Sequence, residues 1–277
     1  MLTMENKKMK FRNPFPAIGK VFKYEMISAG RIILPVYALL LVLSLIIGIF
    51  VLDSELDFTG EGAIGFVKTA IVVLTIILFI VMIVIIIGII ERRYKKSILG
   101  DEGYLNLTLP VTIGEHLWGR YLADFVWGLS YAVVMVIAVM FVGIRGWNQL
   151  PQGISEFIAS SAKFKLQNGF GYGYIFWCSF INAMAFYMLV CVFIYMTDTI
   201  IQLIGKHRTL MSILVFVVVF LLFQNLADLI FHSSFESMGS GIIKARLFWG
   251  IALYNLVWTA VLSVITRLVL NYKLNLE

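Results

Sequence analysis

Charge is scarce in this chain. Only 14% of its 277 residues are Asp, Glu, Lys or Arg, and 61% are hydrophobic. A soluble globular domain carries about a quarter charged residues, so this composition cannot clothe an ordinary aqueous surface. With mean hydropathy of +0.94, the chain reads as a polytopic membrane protein. Cysteine is nearly absent: Cys178 and Cys191 lie on one apolar run, roughly 20 Å apart along a helix, too far to bridge. Both read as packing residues.

Catalytic constellations are missing too. No G-x-x-x-x-G-K-[ST] phosphate loop occurs, which excludes ATP binding by that route. The three histidines, His116, His207 and His232, fall in different loops with no metal-ligand spacing. An intramembrane protease would need paired acids or a Ser–His pair. Asp124, Asp198 and Asp228 lie in three different spans and near different ends, where each reads as an interfacial or capping residue.

What is present is long apolar runs. Six are long enough to cross about 30 Å of hydrocarbon: Ile32–Leu52, Phe66–Ile90, Tyr121–Gly143, Ile175–Ile201, Leu210–Phe231 and Leu247–Leu270. Net charge is +6, and its placement is informative. Lys7, Lys8, Lys10, Arg12, Lys20, Lys23 and Arg31 precede the first run, so the N-terminus is expected in the cytosol beside anionic lipid. The clusters around Arg92–Lys96, Lys206–Arg208 and Arg267–Lys273 then fall on the same side, while Asp53, Glu55, Asp57 and Glu61 fall outside. An even number of spans returns the C-terminus to the cytosol. No cleavable signal is expected, because a long basic segment precedes the first run, and no basic soluble domain is there to bind nucleic acid.

Two segments outside the runs carry helical patterning. Before the first span Ile18, Val21, Phe22 and Met26 recur at helical spacing opposite Lys20 and Lys23, which predicts an amphipathic helix in the cytosolic interface over 13–30. Glu25 falls near its apolar face, either paired with a cation of the neighbouring loop or exposed at the helix edge. In the outer loop, 144–174, Pro151 and Ser155 open a short helix bearing Ile154, Phe157 and Ile158. The stretch GFGYGYIFW (Gly169–Trp177) reads as an interfacial aromatic belt.

The most patterned segment lies between the second and third runs, ERRYKKSILGDEGYLNLTLPVTIGEHLWGR (Glu91–Arg120). Gly100 permits a turn, Asp101 and Glu102 suit the start of a short helix, and Pro110 ends it. Thr112 and Glu115 have the spacing of a capping box that opens the third span. Tyr104, Leu105, Leu107 and Leu109 would face water unless an interface or partner covers them.

Here the chain resembles a known family. KYE (Lys23-Tyr24-Glu25) before the first span, RIILP (Arg31–Pro35) at its start, RRYKKSILGDEGYLNLTLPVT after the second, and the six-span layout look like the type 2 ATP-binding-cassette permeases of Gram-positive bacteria, with the fold of type V exporters. The likeness is sharp over Lys23–Pro35 and Arg92–Thr112 and covers the rest in layout only. It implies an all-α membrane protein of one transmembrane domain in a bacterial plasma membrane. It also implies an elbow helix over 13–30, with Lys23, Glu25 and Arg31, and a coupling helix within 92–115. The coupling role passes to Gly100, Asp101, Glu102, Gly103, Tyr104, Leu105, Leu107 and Pro110. Implied partners are a cytosolic nucleotide-binding ATPase, a second permease copy or a sister permease, and membrane lipid. ATP and Mg would reside on the ATPase, so this chain would have no cofactor and no enzymatic activity of its own. The family also often folds the segment between spans five and six into re-entrant helices, here 232–246.

Candidate path or gate residues are polar stripes on apolar helices. Asn255, Thr259, Ser263 and Thr266 share one face of the sixth span; Gln224, Asn225 and Asp228 cluster on the fifth. Such faces pack against a helix or line a cavity. The function expected is the membrane subunit of an ATP-driven exporter, with cargo leaning to an antimicrobial peptide or hydrophobic compound. The alternatives are a non-transport membrane sensor or sequestering protein for antimicrobials, or a passive channel. A cysteine placed at Gly103 is expected to react with membrane-impermeant reagent only from the cytosolic face, and one at Thr59 only from outside; the reverse pattern overturns the topology.

Overall fold

The computed structural model describes residues 14–51, 63–99, 111–144, 147, 150–168, 171–203, 208–236 and 245–274. Among these the chain is helical: α1 (Phe15–Ile46), α2 (Ala63–Tyr94), α3 (Ile113–Val142), α4 (Leu150–Asn168), α5 (Tyr172–Leu203), α6 (Arg208–Glu236) and α7 (Ala245–Leu274). Short π-helical turns follow α1 (Ile47–Val51) and α2 (Lys95–Leu99). All the helices but α4 are long and apolar enough to cross a membrane, six in number. The segment 100–110 leaves from the end of α2 and returns at the start of α3; that end of the bundle is called the hairpin end below.

The expected elbow helix is not a separate element. Residues 15–46 form one helix of 32 residues, about 48 Å long, well beyond the hydrocarbon thickness. Pro35 withholds a donor from the carbonyl one turn back but does not end the helix. The predicted apolar face also meets protein instead of lying on lipid. An ideal Cβ on Gly119 of α3 would come within 2.7 Å of Val21 and 3.1 Å of the Ile18 carbonyl. Met26 packs against the main core.

The helices pair most closely as α1 with α3 and as α5 with α7. Small residues permit this, since lipid supplies no hydrophobic push between helices and close van der Waals approach must do the work. Ala17, Ala29 and Gly30 of α1 are buried. Gly128 of α3 lies so near Tyr187 of α5 that a Cβ would come 2.5 Å from its ring. Gly48 lets the π turn after α1 touch the backbone of Phe141 at the far end of α3. The core between α1, α2, α3 and α5 is built from Ile33, Ile86, Tyr94, Val192, Tyr195 and Met196. Tyr94 stacks on Tyr195 with ring centroids 4.2 Å apart.

Several local readings of the sequence agree with the structure. Thr112 and Glu115 form the reciprocal capping box, the Glu115 N–H donating to Thr112 Oγ1 at 3.3 Å and the Thr112 N–H to Glu115 Oε2 at 2.7 Å. The outer-loop helix exists as α4, longer than Pro151 and Ser155 suggested, and its Ile154, Phe157 and Ile158 are exposed. Cys178 and Cys191 are buried and free. Between the fifth and sixth spans, α6 continues past His232 to Glu236, and residues 237–244 lie outside the described set. Replacing Gly119 or Gly128 by Leu is expected to lower the thermal midpoint in detergent, with a cost of about 2 kcal/mol from overpacking. Gly19→Ala, with nothing within 4 Å of the new Cβ, is expected to be neutral or slightly stabilising.

Candidate ionic joint at the hairpin end

Charges that stay inside an apolar bundle must be paired, because desolvating an ion costs several kcal/mol. At the hairpin end this chain pairs them across four helices. Glu25 projects from α1 toward the end of α2 and the start of α3. Its carboxylate meets Arg93 Nη2 at 2.6 Å and Arg120 Nη2 at 2.7 Å. Arg93 also donates to the Glu25 backbone carbonyl at 2.7 Å, so one guanidinium grips both the side chain and the main chain of α1. The odd placement of Glu25 on an apolar face is thereby explained: it is paired, with one cation from the end of α2 and a second from α3.

Arg120 extends the joint. Its side chain is 5% exposed, donates to Ser97 Oγ in the π turn after α2, and lies 5.7 Å over the Tyr94 ring. One turn further along α3, Asp124 accepts a hydrogen bond from the Tyr195 hydroxyl of α5 at 2.6 Å. Tyr94 and Thr199 hydroxyls meet at 2.5 Å, joining α2 to α5. Lys95, first residue of the π turn, sits between Glu91 of α2 and Asp198 of α5, 3.2 Å from the latter. Thus Asp124 and Asp198 are not free acids at helix ends. Both are buried and partnered by α5 or α2 groups, because their helices turn them inward where lipid would not solvate them.

The cavity inside the joint, lined by Glu25, Arg93, Arg120, Asp124, Trp127 and Tyr195, measures about 10 Å³. That holds one water and nothing larger. Among the described residues no group of His, Cys, Asp or Glu could hold a metal ion. What the joint supplies is cohesion: fixed charges and hydroxyls that set the mutual position of α1, α2, α3 and α5.

The other sequence-derived residues are scattered. Gly100, Asp101, Glu102, Gly103, Tyr104, Leu105, Leu107 and Pro110 lie outside the described residues; the joint holds the two stems that flank them. Lys23 and Arg31 are exposed on α1. Gln224, Asn225 and Asp228 face outward from α6, and Asn225 donates to its own helix at Leu221 O. The α7 stripe turns inward instead: Asn255 and Thr266 are buried, and Thr259, Ser263 and Thr266 bond back to carbonyls of α7. The structure does not bring these two stripes into one lined path within a single chain. Sequence reasoning overlooked Arg120, Tyr94, Tyr195 and Ser97. The spacing of Arg120 and Asp124, opposite charges one helical turn apart, was the available signal.

No protein-family model, curated protein or solved structure matches this chain.

Arg120→Ala is expected to destabilise the protein by about 2 kcal/mol, since Glu25 keeps Arg93 but loses one charge-assisted bond. Tyr195→Phe is expected to cost about 1–2 kcal/mol through the unpaired Asp124. In a double-mutant cycle, Glu25→Gln with Arg120→Gln should cost clearly less than the sum of the singles. Thermal unfolding in detergent reads all three, and strict additivity would remove Glu25 from the joint.

Proposed function

We propose that this chain is the membrane-spanning subunit of an ATP-driven exporter and takes its motion from a separate cytosolic ATPase. The observation that carries the reading is the ionic joint. Its members sit on the two helices that flank segment 100–110, and they tie those stems to α1 and α5. A force applied to the hairpin would reach two neighbouring helices, α1 and α5, through short, charge-assisted bonds. The resemblance of Lys23–Pro35 and Arg92–Thr112 to type 2 permeases supplies the partner. Six apolar spans and the absence of a phosphate loop in the sequence are consistent with that division of labour.

On this reading, Tyr104 and Leu105 dock the 100–110 segment into the ATPase, with Gly100, Asp101, Glu102, Gly103, Leu107 and Pro110 shaping it. Glu25 serves as the elbow contact, held by Arg93 and Arg120. ATP binding closes the ATPase pair, draws the hairpins together, and tilts the helix bodies to open a path for cargo. The outward polar cluster of Gln224, Asn225 and Asp228 then belongs to the seam with a second permease copy or sister chain, since exposed amides and a carboxylate in a span call for partners. Cargo is a hydrophobic peptide or other hydrophobic compound, in keeping with the apolar surroundings. The membrane is the bacterial plasma membrane, with both termini in the cytosol.

The double variant Tyr104→Glu, Leu105→Glu is expected to insert at parent levels. The ATPase recovered with it from mild detergent should fall about tenfold or more, as for loss of an interface hot spot. Undiminished ATPase recovery would refute the coupling role.

A further inference from the structure

A second feature of the hairpin end belongs to neither the joint nor the hairpin. The first turn of α1, the first turns of α3 and the last turns of α7 enclose a cleft of about 430 Å³. Its walls are Phe15, Ile18, Trp118, Leu122 and Arg267, with Gly114 and Glu115 completing it. That volume suits a ligand of several heavy groups, unlike the water-sized space inside the joint.

The walls are of two kinds. Phe15 is 75% exposed and Trp118 59% exposed, and Leu122 and Phe125 continue the open apolar face along α3. No helix of this chain covers that face among the described residues. Opposite it stands, among the described residues, one cation. The Arg267 guanidinium rests on the first turn of α3, where Gly114 leaves room: a Cβ there would meet its Cζ at 3.4 Å. Arg267 has no ion pair or hydrogen bond among the described residues. The nearby Glu115 carboxylate is engaged by the Thr112 N–H in the capping box. The capping box satisfies the Glu115 N–H, which leaves the N–H groups of Ile113 and Gly114 at the positive end of the α3 dipole. Arg267 lies four residues before the end of the apolar stretch at Asn271, about 6 Å along the helix. An apolar trough on the outer face of the bundle, closed at one end by a cation and a helix N-terminus, matches one class of molecule on both counts.

We propose that this cleft binds a single anionic phospholipid. Its phosphate sits between the Arg267 guanidinium and the first turn of α3, with no choline cation beside Arg267 to offset the attraction, and one acyl chain runs past Trp118 and Leu122. A free phosphate would use only the polar end and leave the aromatic wall bare. The site is independent of the transport reading, since it needs only a bilayer. A bound lipid would brace α7 against α1 and α3 beside the ionic joint, so lipid composition would tune the stability of the hairpin end.

The test uses the full chain in detergent micelles, titrated with phosphatidylglycerol or phosphatidylcholine carrying brominated acyl chains. Quenching at the site is the difference between the parent and Trp118→Phe. Phosphatidylglycerol is expected to quench at about fivefold lower concentration than phosphatidylcholine, as one basic contact supplies. Arg267→Gln should abolish that preference, Arg267→Lys should keep it, and glycerol phosphate should displace neither lipid. Equal quenching by the two lipids in the parent overturns the proposal without need of any variant, and so does a preference that survives Arg267→Gln. Displacement by glycerol phosphate would reassign the cleft to a soluble phosphate and equally defeat the lipid site.

Discussion

Where α1, α2 and α3 converge, one carboxylate serves two guanidinium groups. Removing those three charges from water costs several kcal/mol for each ion, and their mutual attraction repays it only while the geometry is kept. Glu25 must therefore face inward, Arg93 must reach across from the end of α2, and Arg120 must lie against Tyr94 and Ser97. A slip of one residue in any of the three helices would strand a charge. The joint thus sets register where apolar packing alone would tolerate sliding, because Leu and Val contacts look much the same one turn along.

Around that constraint the rest of the bundle follows. α1 can approach α3 closely enough to deliver Glu25 only because Gly119 presents no side chain to Val21. α5 comes near enough for Tyr195 to reach Asp124 because Gly128 admits Tyr187. The polar groups then hold what the small residues allow. α6 stands outside this logic: it packs on the core along Val215, Val219 and Phe223, is otherwise mostly exposed, and carries Gln224, Asn225 and Asp228 outward. The cleft beside Arg267 stands next to the joint at the same end. Paired charges are sequestered inside the bundle there, and Arg267 is left exposed beside them.

Much of the layout was legible from residue order. Runs of Ile, Val, Leu and Phe longer than the hydrocarbon thickness can only be helices that satisfy their own backbone, so six spans followed from composition and length. The start of α3 at Ile113, well before the apolar run, was readable because Thr112 and Glu115 are spaced to cap each other. α4 was visible in part, since Ile154, Phe157 and Ile158 share a face. By contrast, the pattern of Ile18, Val21, Phe22 and Met26 reads equally as a lipid-facing or a protein-facing stripe. Periodicity reports that a face is apolar and is silent on what it touches.

The sequence by itself therefore determined the helical class, the six candidate spans and the capped start of α3, because each depends on local spacing or total composition. Tertiary structure alone decided that 15–46 is one helix docked on α3, that the α7 stripe turns inward while the α6 cluster turns out, and that Asp124 and Asp198 are buried. It also decided which cations Glu25 shares. Those outcomes depend on pairs such as Glu25–Arg93 and Asp124–Tyr195, separated by dozens of residues. Whether a charge is buried with a partner or left at the lipid boundary is a property of several helices at once, and no single helix carries that information.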